Sequence, residues 1–152
     1  MIESKQIQLS EIEIYSLLTT LDEKFAEKLR SYLDLPSYSK KLHDLAKHIV
    51  AIMDGVKVGF LAYYVNDSQK EIFIPYVCVS AKHRRMGIAD LMLINICEYA
   101  DSLEFSILLE VRKNNDSAIR LYDKYGFHII DAEKDETKVK MRRLSVFSKI
   151  KK

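Results

Sequence analysis

The chain has 152 residues, of which 48% are hydrophobic and 30% charged, and a formal net charge of +2. That length suits one domain over 1–152 with a sizeable core, and the near balance of charge argues against nucleic acid as a partner. Two cysteines make no disulfide framework, no Cys/His spacing suits zinc, no apolar run nears the roughly 20 residues of a membrane span, and no signal pattern opens the chain; the expectation is no metal, no membrane partner and a cytoplasmic location. The charge is uneven, with eight Lys/Arg against three acids from Glu133 to Lys152.

Residues 2–9 suit a short edge strand. From Ser10, a candidate N-cap with Glu11 and Glu13 behind it, Ile12, Ile14, Leu17, Leu18, Leu21, Phe25, Leu29 and Leu33 recur mostly at three and four. That spacing predicts a long helix, stopped by Pro36, with room for a break near Thr20 or Asp22. Ser37 to His48 reads as a second helix with Leu42, Leu45, Ala46 and Ile49 apolar. Ile49–Met53 and Val56–Val65 flank Asp54-Gly55, the signal of a type I′ hairpin. Asn66–Gln69 is the next turn. Lys70–Val79 then completes a three-stranded antiparallel meander.

The stretch Val79 to Leu93 runs from that strand through a turn bearing Arg84, Arg85 and Gly87 into a helix, Met86 to Ser102. The first N–H groups of a helix have no intrahelical partner and lie at the positive end of its dipole. A strand–turn–helix here is a seat for phosphate or pyrophosphate; the plainer alternative is a solvated turn with two surface arginines. A strand Phe105–Val111 follows, and a crossover of this length predicts a parallel pair beside the turn. The next helix starts at Asp116 or Ser117, capped by Asn115 or Asp116. It buries Ala118, Leu121, Tyr122 and Tyr125 and ends at Gly126. Phe127–Ile130 starts a strand, Asp135-Glu136-Thr137 turns, and Lys138–Phe147 is the last strand, with Val139, Met141 and Leu144 on its apolar face. Cys78 and Cys97 read as small core hydrophobes.

Two of these stretches carry motifs. After Val79 comes Arg84-x-x-Gly87-x-Ala89; later come Asn115-x-x-Ala118-x-x-Leu121-Tyr122 and Gly126-Phe127. In this order they resemble the GNAT superfamily of acyl-CoA-dependent N-acyltransferases. With Glu110-Val111-Arg112 ahead of Asn115, the central motif is similar to the ribosomal-protein alanine N-acetyltransferases. The resemblance implies an α/β GNAT fold: a mixed central sheet, antiparallel in its N-terminal meander, with a parallel pair at the cofactor site and about four flanking helices.

The resemblance also implies a chemistry. Acetyl-CoA is the cosubstrate and gives its acetyl group directly to a primary amine. Backbone N–H groups of Arg85, Met86, Gly87, Ile88 and Ala89 would take the diphosphate, with Arg84 or Arg85 as charged partner. Cys78 and Val79 would lend backbone groups to the pantetheine arm. Asn115 would contact that arm, cap its helix, or both. Tyr122 is the candidate general acid, since a phenol with a pKa of about 10 stays protonated at neutral pH. Glu110 is the candidate base, directly or through a water; alternatively it is a strand-end carboxylate that faces or orders water. Ala89 and Ala81 depart from the Gly and Pro that many members carry.

The acceptor stays open between a small amine, an amino sugar and a protein N-terminus. Tyr32, Tyr38 and His43 are candidate acceptor contacts, with surface or packing roles the weightier alternative. His83 and His128 read as surface or strand residues. The partner expected is an amine-bearing acceptor, and a homodimer is compatible. One alternative is a non-catalytic acetyl-CoA-binding module acting as a sensor or regulatory subunit. A nucleotide-binding protein ranks lower, because Gly-x-Gly-x-x-Gly and the phosphate-loop Lys-Ser/Thr are missing.

Overall fold

A computed structural model describes residues 1–131 and 137–146. The described strands form one seven-stranded sheet in the order β1-β2-β3-β4-β5-β7-β6: β1 Ile2–Gln6, β2 Lys47–Met53, β3 Val56–Asn66, β4 Glu71–Val79, β5 Ser106–Arg112, β6 His128–Asp131 and β7 Lys138–Arg143. The chain divides into two compact units, Met1–Tyr64 with Tyr76–Met92, and Val65–Pro75 with Leu93–Lys152.

In the first unit, β1 and β3 both run antiparallel to β2. The turn between β2 and β3 has Asp54 at φ 50° and Gly55 at φ 81°, both left-handed as a type I′ turn demands. Three helices follow β1: α1 Glu11–Thr20, α2 Glu23–Arg30 and α3 Leu35–Leu45. Ser10 and Glu13 close a reciprocal capping box on α1, and the Asp22 carboxylate caps α2 through the N–H groups of Lys24 and Phe25. Ile14, Leu18, Leu29 and Leu42 from these helices pack in one cluster with Val50, Phe60, Tyr76 and Cys78 of the strands. Each fully buried aliphatic side chain there contributes about 1.5–3 kcal/mol.

The opposite face of β3 seats the start of the fourth helix, α4 Ile88–Leu103. A Cβ at Gly59 would stand 2.9 Å from Met92 Cε, 3.1 Å from Ile88 Cγ2 and 3.2 Å from Ala51 Cβ. Glycine at 59 is therefore what lets the first two turns of α4 lie against the strand.

In the second unit, β4 and β5 pair in parallel from Glu71↔Ser106 to Ile74↔Leu109. Pro75, which brings no N–H, follows at once. β7 pairs antiparallel with both β5 and β6, so it lies between them. The fifth helix, α5 Asp116–Lys124, carries the buried Tyr122. Arg143 of β7 fastens this unit: its Nη1 and Nη2 donate to the two carboxylate oxygens of Asp101 at 3.0 and 2.9 Å, and its Nε donates to the Tyr125 carbonyl at 2.9 Å.

The sequence reading needs several corrections. The long first helix is two helices, broken at Leu21–Asp22 where the sequence left room for a break, and the described residues include five α-helices. Pro36 does not stop a helix; it sits in the first turn of α3, where its missing N–H is no loss. The second helix therefore spans Leu35–Leu45, and His48 belongs to β2. Periodicity also overreached at Ile12 and Leu45, which are 81% and 65% exposed. The last strand ends at Arg143; Phe147, Asp135 and Glu136 lie outside the described residues.

Candidate active site

The turn between β4 and α4 is built from short-range backbone geometry. A 3₁₀ turn, Ala81–His83, follows Ser80. Arg85 and Gly87 are then both left-handed, at φ 63° and 76°. A non-glycine residue there costs about 1–2 kcal/mol, a strain typical of sites that must aim backbone groups. Left-handed residues set into a turn swing successive N–H groups toward one side. At Gly87 a Cβ would meet nothing within 4 Å, so the glycine is required by its backbone angle and not by crowding, and the space over it is open. Leu91 N–H bonds to the Gly87 carbonyl at 3.1 Å, which closes the first turn of α4.

The turn is tied at several points within its own unit. Ser80 N–H reaches the Val58 carbonyl and Ala81 N–H the Leu21 carbonyl, both at 2.8 Å. Arg84 Nη2 donates to Asp22 Oδ2 at 2.6 Å, and its Nε donates to the Val79 carbonyl at 3.1 Å. The Arg84 guanidinium is thus engaged with protein, while Arg85, Met86 and Gly87 are exposed and Ile88 is buried at the start of α4. Ala89 is half-buried in the first turn of that helix. Cys78 is buried, and burial pushes its thiol pKa up. His83 is half-buried and shares a 2.9 Å contact with Ser80 Oγ within the turn.

The second unit holds the other candidates. Tyr122 is 7% exposed, its ring tilted against Phe127 at 5.6 Å, and burial pushes its pKa up to about 12. Glu110 is exposed on β5, opposite Lys140 of β7. Asn115 caps α5, its side-chain oxygen accepting from Ala118 N–H at 3.2 Å. His128 is exposed on β6.

The candidate acceptor contacts separate by environment. Tyr32 is 56% exposed. Tyr38 packs on the core of the first unit, and burial raises its pKa. His43 is exposed beside Asp44 at 2.9 Å. Asp22, which the sequence offered only as a place where the first helix could break, meets Arg84 of the turn, and nothing local connects the two positions.

A mixed sheet of this order, with a strand that turns through left-handed residues into a helix, is the arrangement expected from the resemblance to acyl-CoA-dependent N-acyltransferases. The chain belongs to the acetyltransferase (GNAT) family, whose model matches residues 12–127. It is similar to N-alpha-acetyltransferase 50 of Danio rerio, with 33% identity over 124 residues covering 74% of this chain and 72% of that protein. In fold it is similar to the ribosomal-protein-S18-alanine N-acetyltransferase of Escherichia coli (TM-score 0.76, 15% identity, 96% of each chain). It is also similar to the PaiA N-acetyltransferase of Thermoplasma acidophilum in complex with coenzyme A (TM-score 0.73, 15% identity, 95% of this chain and 99% of that one). The chain is thus an acetyl-CoA-dependent N-acetyltransferase. No described helix is long and apolar enough to cross a membrane.

Proposed function

We propose that this chain, acting as one catalytic domain in the cytoplasm, acetylates the α-amino group of a protein or peptide N-terminus. The observation that carries the acceptor class is the 33% identity to a protein named N-alpha-acetyltransferase 50. Acetyl-CoA supplies the activated acetyl group. The backbone N–H groups of Arg85 to Ala89 hold its diphosphate, the exposed Arg85 adds charge, and the backbone of Cys78 and Val79 lines the pantetheine arm. The left-handed backbone at Arg85 and Gly87 and the open space above Gly87 support this seat.

Glu110 takes the proton of the acceptor ammonium, directly or through a water, which frees the nitrogen lone pair for the thioester carbonyl. Asn115 caps α5 and so orients the helix that carries Tyr122. The nitrogen–carbonyl bond forms, the carbon–sulfur bond breaks, the Tyr122 hydroxyl gives its proton to the departing thiolate, and the second proton shed by the nitrogen restores the phenol. With a pKa near 12, Tyr122 keeps that proton throughout the working range. Transfer is direct. Both cysteines are buried, and burial pushes Cys97 up to about 11 and raises Cys78, so neither is a ready thiolate nucleophile.

The test is thiol release from acetyl-CoA across a panel of N-terminal peptides, polyamines and amino sugars. Peptides with a free α-amino group should turn over and their N-blocked forms should not. Turnover confined to polyamines or amino sugars would overturn the acceptor class.

A further inference from the structure

We propose that Asp22 and Arg84 form a latch that positions the coenzyme turn, so that Arg84 serves by holding backbone and not by touching the diphosphate. The idea rests on the coenzyme seat proposed above. The two oxygens of Asp22 divide their work: Oδ1 accepts from Lys24 and Phe25 N–H at 3.1 and 3.2 Å, and Oδ2 accepts from Arg84 at 2.6 Å. One carboxylate thereby bridges the start of α2 and the turn. Its neighbour Leu21 grips the same turn three residues earlier, through the Ala81 N–H at 2.8 Å.

The gripped residues lead into the strained point. Arg84 immediately precedes Arg85 at φ 63°, and its Nε also closes onto the Val79 carbonyl. A guanidinium held at two atoms fixes the peptide that leads into the left-handed residue, and so helps offset the cost of that conformation. Arg84 commits Nε and Nη2 to protein, and a phosphate bound at those two nitrogens would displace a charge-assisted bond to a carboxylate that is 20% exposed. The Asp22 carboxyl is ionised for this role: burial raises its pKa, but the Phe25 N–H and Arg84 outweigh that and leave it below the usual range. Asp22 and Arg84 are positioning residues, and they tie coenzyme affinity to the junction between α1 and α2.

The sign of one effect separates the two roles. Asp22 is an anion near an anion seat. If Arg84 bound phosphate directly, removing the Asp22 charge would free Arg84 and tighten coenzyme binding. The latch requires the reverse. Binding of coenzyme A is measured by calorimetry for the native chain, Asp22→Asn, Arg84→Gln and the double variant. Asparagine keeps an oxygen for the cap, so α2 stays capped. Asp22→Asn should weaken binding about fivefold, the upper range for a half-exposed ion pair. Arg84→Gln should do the same, and the double variant should be no worse than either single one. In turnover, the loss should fall on the KM for acetyl-CoA more than on kcat.

Arg84→Lys keeps the charge but loses the planar fork; the latch predicts that it behaves like Arg84→Gln. Unchanged or tighter binding by Asp22→Asn, additive losses in the double variant, or native affinity in Arg84→Lys would each overturn the latch. Gly87→Glu tests the seat separately by filling it with an acid. If that variant binds coenzyme A like the native chain, the seat itself is wrong. If it loses binding while Asp22→Asn loses none, the latch alone fails.

Discussion

Two arginine–aspartate pairs, one in each unit, carry the same chemistry to different ends. Arg143 is held by both oxygens of Asp101 and by the Tyr125 carbonyl, and Asp101 also accepts the Val146 N–H at 3.1 Å; the side chains are 11% and 21% exposed. Arg84 meets one oxygen of Asp22 and one carbonyl, and its side chain is 50% exposed. The two aspartates are alike in exposure, at 21% and 20%, and the pairs differ in the arginine: one that is covered serves the fold. A pair left half open beside a strained turn can set the shape of that turn. Enclosure, more than the residues involved, separates fastening from positioning.

The largest effect should come from breaking the closed pair. Arg143→Ala takes from Asp101 and from the Tyr125 carbonyl the three bonds that the guanidinium makes to them, and should cost about 3 kcal/mol of folding stability, read from urea unfolding. Arg84→Gln should cost under about 1 kcal/mol by the same measurement. Equal losses from the two would erase the distinction.

Tyr122→Phe comes next. It removes one oxygen from a buried ring, and kcat should fall about a hundredfold while coenzyme affinity and melting temperature hold. If stability fell and kcat did not, Tyr122 would join Arg143 among the fasteners. In the native chain, the pH profile should show no alkaline loss attributable to Tyr122 through pH 10, since its proton leaves only near 12.

The smallest effect sharpens the comparison with an uncharged fastener. His48 is 2% exposed; its Nδ1 accepts the Leu9 N–H and its Nε2 faces the Leu42 carbonyl, both at 2.9 Å. Nδ1 must stay bare to accept, so Nε2 carries the proton. Burial holds the pKa below its ordinary 6.5, although the bond to Leu42 pulls it up. The unfolded chain therefore takes up a proton first as pH falls below about 6.5, and stability should drop there by at most about 1.4 kcal/mol per pH unit. Thermal melts from pH 7.5 to 5 should show this slope, and His48→Gln should flatten it. An unchanged slope would remove His48 from the closed group.

The chain's local chemistry was enough for much of this protein. Alternating apolar residues, the Asp54-Gly55 turn, the Asn115 cap and the Gly126 stop are short-range signals, and each appears in the structure where the residues placed it. The strand–turn–helix around Gly87 was readable for the same reason, since its conformation depends on neighbours a few positions apart. Pro36 was misread because one residue type both ends helices and starts them, and spacing alone does not say which. Contacts made across the fold were not legible. Asp22 and Arg84 are 62 positions apart, Asp101 and Arg143 are 42, and β7 inserts between β5 and β6 against chain order. Those pairings arise only when packed elements bring distant groups within bonding distance, and burial then decides which charged groups stay open for function.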